Sequence, residues 1–255
     1  GELWSAKILS LYIGKLLDNK NEVDFIDSRK IIHLHSSELG DVVDWQKSND
    51  CYNELIKSIK SNLLVITGFI ASNELGFPTN LGRNGSDYSA AIFASLFEAK
   101  ELTIWTDVEG VMSADPRKVD GAKVVKNLSY NEAMELAYFG AKVIHPKTLS
   151  PLMKQKIPMF IRNTFNPDAN GSKISAEMSI DENIKGITVI DSMALINLEG
   201  TGMIGVPGTA DKLFVSLKNE NISVTLISQA SSEHSICIAV DEAVSDKAKD
   251  VIEKA

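Results

Sequence analysis

The sequence predicts an α/β fold with a mainly parallel sheet between helices, followed by a smaller α/β unit. Three observations carry this. The continuous apolar runs Leu63-Leu64-Val65-Ile66-Thr67 and Leu102-Thr103-Ile104-Trp105-Thr106 have the pattern of strands buried on both faces. Between them, Leu81 to Ala91 begins as a glycine-bearing loop and ends as a helix, giving strand, loop, helix, strand: a βαβ unit with a right-handed connection. From Met193 onward, short strands and helices alternate in a different order.

Taken in order, Ile8, Leu9, Tyr12, Ile13, Leu16 and Leu17 recur with helical period, and Asp18-Asn19-Lys20-Asn21 ends that helix. Val23–Ile26 and Ile31-Ile32 read as short strands, and residues 36–50 as a polar loop. Tyr52 to Ile59 reads as an amphipathic helix, and Asn73-Glu74-Leu75-Gly76 as a turn. A helix is expected over 87–98. Thr106 to Arg117 is loop by composition, punctuated by Gly110 and Pro116. Ser129-Tyr130-Asn131-Glu132 is a capping box that opens a helix stopping at Gly140. Pro146 suits the first turn of the next helix, and Pro158 to Arg162 reads as a strand. The turn cluster Asn166 to Gly171 and the polar run to Asn183 mark a boundary between domains 1–175 and 176–255. The second domain reads as strand 193–198, glycine-rich segment 200–208, helix 209–219, strands 222–227 and 235–240, and helix 244–254. That is βαββα, one strand short of the ferredoxin-like βαββαβ unit.

A chain of 255 residues, 44% hydrophobic and 24% charged, can bury a sizeable core in one large or two ordinary domains. A formal net charge of −8, with no Lys/Arg-rich run, argues against nucleic acid as the main partner. No apolar run is long enough to span a membrane and no secretory signal opens the chain. Cys51 and Cys237 stand far apart, so neither a disulfide framework nor a cysteine zinc site is expected, and a reducing, intracellular setting fits. His33 and His35 share a strand face without a third ligand, so no metal site is expected there.

The chemistry concentrates at Gly82-Arg83-Asn84-Gly85-Ser86-Asp87. A helix N-terminus offers free N–H groups and partial positive charge, and Arg83 adds a planar fork suited to carboxylate or phosphate. Read alone, this stretch is equally a glycine turn with a Ser or Asp cap. Ligands of open parallel sheets sit beyond the carboxyl ends of the strands. Gly68, the Arg83 loop and Asp107 all fall there, so three segments are expected to converge on one crevice. Lys142, just past a helix end, either complements the helix dipole or reaches into the crevice toward phosphate.

Several long motifs then resemble aspartokinase. They are Gly82–Asp87; Thr106-Asp107-Val108-Glu109-Gly110-Val111 with Asp115-Pro116-Arg117; and Ala133 through Pro146, which includes Gly140-Ala141-Lys142. Gly1-Glu2-Leu3-Trp4-Ser5-Ala6 is similar to that family's Gly-Glu segment. Residues 193–240, with Ser228 to Ser235, resemble the first ACT domain of bifunctional aspartokinase–homoserine dehydrogenases.

The resemblance implies an amino-acid-kinase fold followed by an ACT regulatory domain. It also implies ATP-dependent phosphorylation of the side-chain carboxylate of L-aspartate, the first step of lysine, threonine and methionine biosynthesis, with Mg²⁺ arriving alongside ATP. By the same resemblance Arg83 holds the substrate carboxylate, Glu2 pairs with its ammonium and Ser86 completes the cradle. Asp87 orients cationic groups, Lys142 neutralises the phosphoryl oxygens, and Thr106, Asp107 and Arg117 surround the nucleotide. Effector contacts are expected at Gly205, Val206, Asn221 and Ile222, with threonine as first-choice effector and lysine as competitor. Pairing of ACT domains implies a homodimer or higher oligomer, in the cytoplasm or, in a plant, the plastid. Two departures stand out. The family's N-terminal Lys-Phe-Gly-Gly-Thr-Ser-like segment is absent, so this stretch alone is expected to be inactive, and Met112 stands where many relatives carry tyrosine. The alternatives are another acylphosphate-forming amino-acid kinase and a non-catalytic effector-binding dimer.

Overall fold

The computed structural model describes residues 1–17, 23–37, 40–138, 143–177, 184–200, 207–229 and 235–254. The chain divides into two compact units, Gly1–Thr188 and Val189–Ala255.

In the first unit, helix α1 (Glu2–Leu16) packs on strands β1 (Val23–Ile26) and β4 (Leu63–Ile66). These strands pair in parallel, from Val23 opposite Leu63 to Ile26 opposite Ile66. Buried hydroxyls clamp the chain just past both strand ends. The Ser28 N–H donates to Thr67 Oγ1 at 2.8 Å, the two hydroxyls lie 2.7 Å apart, and Ser28 Oγ donates to the Ile70 carbonyl at 2.7 Å. Buried polar groups need such partners, and here the pairing fixes where the two following loops begin.

Two readings of this region change. Ile31 and Ile32 follow a 3₁₀ turn at Ser28–Lys30 instead of forming a strand, and they are apolar because both are buried in a core. The polar stretch 36–50 is largely regular: β2 (Leu34–Ser37) and β3 (Gly40–Val43) form an antiparallel hairpin, and α2 (Trp45–Ile56) follows. The hairpin is mostly exposed, so its residues are polar for solvation and hide the strand pattern. The cap of α2 is Asp44, whose carboxylate accepts from the Lys47 N–H at 3.0 Å, so the helix starts seven residues before Tyr52.

Strands β5 (Ile70–Ser72) and β6 (Pro78–Asn80) pair around the expected turn, where Asn73 Oδ1 accepts from the Phe77 N–H at 2.9 Å. Helix α3 (Gly85–Leu96) follows, then β7 (Leu102–Thr106), β8 (Asn127–Ser129), α4 (Tyr130–Tyr138), α5 (Pro146–Gln155), β9 (Met159–Asn163) and β10 (Ser172–Ser175). The second sheet has the order β7-β9-β10-β8, with β9 and β10 antiparallel and the other pairs parallel. The expected βαβ pair is therefore split: β4 bonds to β1 and β7 to β9, and among the described residues no ladder joins β4 to β7. The strand–helix–strand order sets direction but not adjacency.

Helix α3 is the hinge between two cores. Ala91 and Ala94 pack with Leu128, Leu149, Leu152, Ile161 and Ile174, while Ile92, Phe93 and Leu96 pack with Ile26, Ile32, Leu34 and Val43. Small residues on one side and bulky ones on the other let the helix be buried on both, which explains its unbroken apolar run. The capping box of α4 forms as expected: the Ser129 N–H donates to Glu132 Oε2 at 2.7 Å, and the Glu132 N–H to Ser129 Oγ at 3.3 Å.

Residues 184–188, placed by sequence in the second domain, belong to the first unit: the Ile187 N–H donates to the Ser113 carbonyl at 2.8 Å. In the second unit, β11 (Met193–Glu199), β13 (Ser235–Asp241) and β12 (Leu226–Gln229) form an antiparallel sheet in that order. Helices α6 (Thr209–Asn219) and α7 (Ser245–Glu253) cover it over a core of Leu213, Leu217, Ile222, Ile236, Ile238, Val240 and Ala248. This is the ferredoxin-like order for three strands. The strand expected at 222–227 begins at Leu226, because Ile222 turns into the core while Thr225 makes the first bond across, to Ala239.

Candidate active site

Chain ends from three elements meet at the N-terminus of α3. Gly68, just past β4, lies against Ser86, and the adjacent Phe69 N–H donates to Ser89 Oγ at 3.1 Å. Ser89 donates in turn to the Ser86 carbonyl at 2.7 Å, so one buried hydroxyl staples the β4 loop to the first turn of α3. Asn84 adopts a left-handed conformation at φ +55, and the Gly85 N–H closes a turn onto the Gly82 carbonyl at 3.1 Å. Gly85 has no room for a side chain: a Cβ there would stand 2.8 Å from the Phe69 ring and 3.0 Å from Leu81 Cβ. The glycine is needed for this close approach, and Arg83, inside the same turn, is exposed.

Electrostatics distinguish the members of this group. Burial pushes the Asp87 carboxyl above the usual aspartate range, although hydrogen bonds with the Asn84 and Ser86 side chains pull it back. His145 caps α5, its Nδ1 accepting from the Lys147 N–H at 3.2 Å. Burial lowers its pKa, and the cations Lys147 and Arg83 lower it further, so the charged imidazolium is disfavoured there. A cavity of about 500 Å³ reaches the same loop, with Asn80, Leu81, Gly82, Tyr88, Asp41 and Lys147 among its walls.

A second group gathers beyond the end of β7. The Thr106 hydroxyl donates to Asp107 Oδ1 at 3.1 Å. Glu109 accepts from Asn163 at 2.8 Å and from Asn166 at 3.2 Å. Ser172, fully buried on β10, ties the two arms of the 107–125 loop: its hydroxyl accepts from the Val111 N–H at 2.9 Å and donates to the Val125 carbonyl at 2.6 Å. At the tip, Arg117 forks onto Asp115 at 3.0 and 2.7 Å and holds that carboxyl down to about 2.

The expected site residues thus fall into groups. Arg83, Ser86 and Asp87 lie together with Gly68, Phe69 and His145; Thr106 and Asp107 adjoin the Glu109–Asn163 cluster. Glu2 is exposed at the start of α1, and Arg117 is engaged by Asp115. Among the described residues no hydrogen bond or ion pair links Glu2, Asp107 or Arg117 to the Arg83 loop. Lys142, Gly205 and Val206 lie outside the described residues. Asn221 is exposed in a left-handed turn at φ +54, but the Ile222 side chain is packed in the core of the second unit and can offer a ligand only its backbone. Sequence reasoning missed Phe69, Ser89, His145 and Ser172. The Asn84-Gly85 pair was a signal for a left-handed turn; no local pattern marks the others.

A model of the amino acid kinase family matches residues 1–163. The chain belongs to the amino acid kinase family. Its 82–87 loop and the β4 and β7 ends are therefore those of an amino acid kinase domain, and a model of the ACT domain matches residues 196–255. The chain is 47% identical, over 95% of its length, to the bifunctional aspartokinase/homoserine dehydrogenase, chloroplastic, of Daucus carota, and covers 27% of that protein. It resembles aspartokinase III of Escherichia coli in complex with aspartate and ADP, with a TM-score of 0.72 at 30% identity, covering 91% of this chain and 52% of that one. The same enzyme in complex with lysine and aspartate gives 0.73 at 30% identity, over 100% of this chain and 57% of that one.

Proposed function

We propose that this chain is the kinase and regulatory part of an aspartokinase, transferring the ATP γ-phosphoryl group to the side-chain carboxylate of L-aspartate. The observation that carries the reading is the exposed Arg83 fork in the turn that leads directly into the N-terminus of α3. It is supported by high identity to an aspartokinase relative across nearly the whole chain.

Phosphoryl transfer depends on positioning and on stabilising charge at the transferred oxygens. Arg83 binds a substrate carboxylate by its fork, and the Ser86 hydroxyl and the first N–H groups of α3 complete an anion cradle. Asp87, partly buried and one residue from Ser86, orients cationic groups around the transferred phosphoryl; Lys142 is assigned to those oxygens and Glu2 to the substrate ammonium. Thr106 and Asp107 at the end of β7, and Arg117 once released from Asp115, face the nucleotide. Mg²⁺, carried in on the phosphates, would screen their charge, and the exposed Asp107 carboxylate is the acid on this loop suited to meet it or its waters.

Regulation belongs to the second unit, an ACT domain. Lysine is supported as effector by its presence with aspartate in the E. coli structure, and threonine remains the first choice on the resemblance to bifunctional enzymes. Pairing of ACT domains into a homodimer, and a plastid setting like that in the carrot relative's name, go with this reading. The test is steady-state kinetics of the full-length protein: Arg83→Ala should raise the KM for aspartate by about tenfold to a hundredfold while changing the KM for ATP little. Unchanged aspartate constants would remove Arg83 from the site.

A further inference from the structure

We propose that residues 184–188 form a strap that sets the position of the 107–125 loop, with Lys185 as its positioning residue. As a device for nucleotide binding, the strap rests on the reading of that loop given above.

Three consecutive residues each make an anchoring contact with α4 or the loop. Lys185 Nζ lies 3.0 Å from Glu132 Oε2 on α4, and the Lys185 side chain is only 9% exposed. Gly186 is pressed between α4 and the loop: a Cβ there would stand 3.0 Å from Leu136 Cδ2 and 3.3 Å from the Ser113 carbonyl oxygen. The Ile187 N–H donates to that same carbonyl at 2.8 Å.

Ser113 is a junction. Its carbonyl faces the strap, while its N–H donates to the Lys123 carbonyl at 2.7 Å and its hydroxyl accepts from the Lys123 N–H at 3.0 Å. One residue thus joins the strap to both arms of the loop whose base bears Asp107 and whose tip bears Arg117. Glu132 is equally shared, since its carboxylate also caps the Ser129 N–H at the start of α4. A largely buried ammonium is costly to leave without its partner. Lys185 therefore holds the strap down, and the strap holds the loop through the Ile187–Ser113 bond. The second unit begins two residues later, at Val189.

The test compares full-length wild type with Lys185→Met, Lys185→Arg and Ile187→Pro by amide hydrogen exchange and kinetics. Ile187→Pro deletes the donor to Ser113 and leaves the buried ion pair, so it serves if Lys185→Met does not fold. Lys185→Met or Ile187→Pro should speed exchange at Ser113, Lys123 and Val125 by about tenfold or more, with Ile161 in β9 unchanged. Lys185→Arg should restore protection. The KM for ATP should rise about three- to tenfold, with the KM for aspartate within about twofold. Unchanged loop exchange in both variants overturns the strap, as does equal acceleration at Ile161, which would mean a loss of global stability. Faster loop exchange with an unchanged KM for ATP upholds the strap and overturns the nucleotide assignment of the loop.

Discussion

Ser172→Ala isolates what one buried hydroxyl contributes to the architecture of the site. The oxygen is fully buried, accepts from the Val111 N–H at 2.9 Å and donates to the Val125 carbonyl at 2.6 Å. Alanine fills nearly the same volume but leaves both backbone groups without that partner. The Val111 N–H is the more costly loss, because Val111 is 2% exposed and water cannot replace the acceptor without opening the loop. An orphaned buried donor costs about 1–3 kcal/mol and a lost ordinary hydrogen bond about 1 kcal/mol, so the total is about 2–4 kcal/mol. For a unit of this size that lowers Tm by about 4–16 °C. Urea unfolding followed by tryptophan fluorescence is the assay, since Trp4, Trp45 and Trp105 all lie in the first unit and the second contributes no tryptophan signal. Ser175→Ala is the control: among the described residues its hydroxyl makes one long bond, 3.3 Å from the Glu177 N–H. A Ser172→Ala loss below about 1 kcal/mol at constant m-value would refute the reasoning, because it would mean that the two backbone groups find other partners at little cost.

Three further outcomes are expected. Gly85→Ala should destabilise the first unit by about 1–3 kcal/mol through overpacking against Phe69, and Phe69→Leu in the same chain should recover part of it in a double-mutant cycle. Strictly additive losses would remove the contact from the explanation. Burial raises the Asp87 pKa, so the fold favours its protonated form, and its contribution to stability falls as pH rises above about 3.8 toward the raised value. Asp87→Asn should therefore abolish kinase activity yet keep or raise the urea midpoint at pH 7, and a lower midpoint would contradict this electrostatic account. Glu132 behaves oppositely. Burial alone would raise its pKa, but the Ser129 N–H and Lys185 outweigh that and hold it below the ordinary 4.5. Its stabilisation is present above about pH 4.5 and is lost as pH falls through the depressed pKa, so Glu132→Gln should flatten the acid limb of the stability curve. An acid limb as steep as wild type would show that the pair contributes nothing.

Much of the fold was legible locally. The capping box at Ser129–Glu132, the turn at Asn73–Gly76, Pro146 at a helix start and helix 209–219 are each set by chemistry within a few residues, and the structure forms them there. The misreadings share a cause. Residues 36–50 are polar because their hairpin and the first turn of α2 meet water, and Ile31-Ile32 are apolar because they fill a core. In both places exposure, which depends on distant neighbours, was mistaken for secondary structure.

The Gly82–Asp87 loop divides the same way. Its glycine spacing, its arginine and the following helix are written in adjacent residues, and so is the inference that an anion belongs there. That Phe69 crowds position 85, that Ser89 staples the β4 loop to Ser86, and that Arg83 helps to disfavour a charged His145 depend on residues up to about sixty positions away. The sheet partners of β4 and β7 belong to the same class. Local chemistry sets which conformations a segment can take; which surfaces meet is set by burying two faces of α3 at once, a condition that exists only when the whole unit has closed around it.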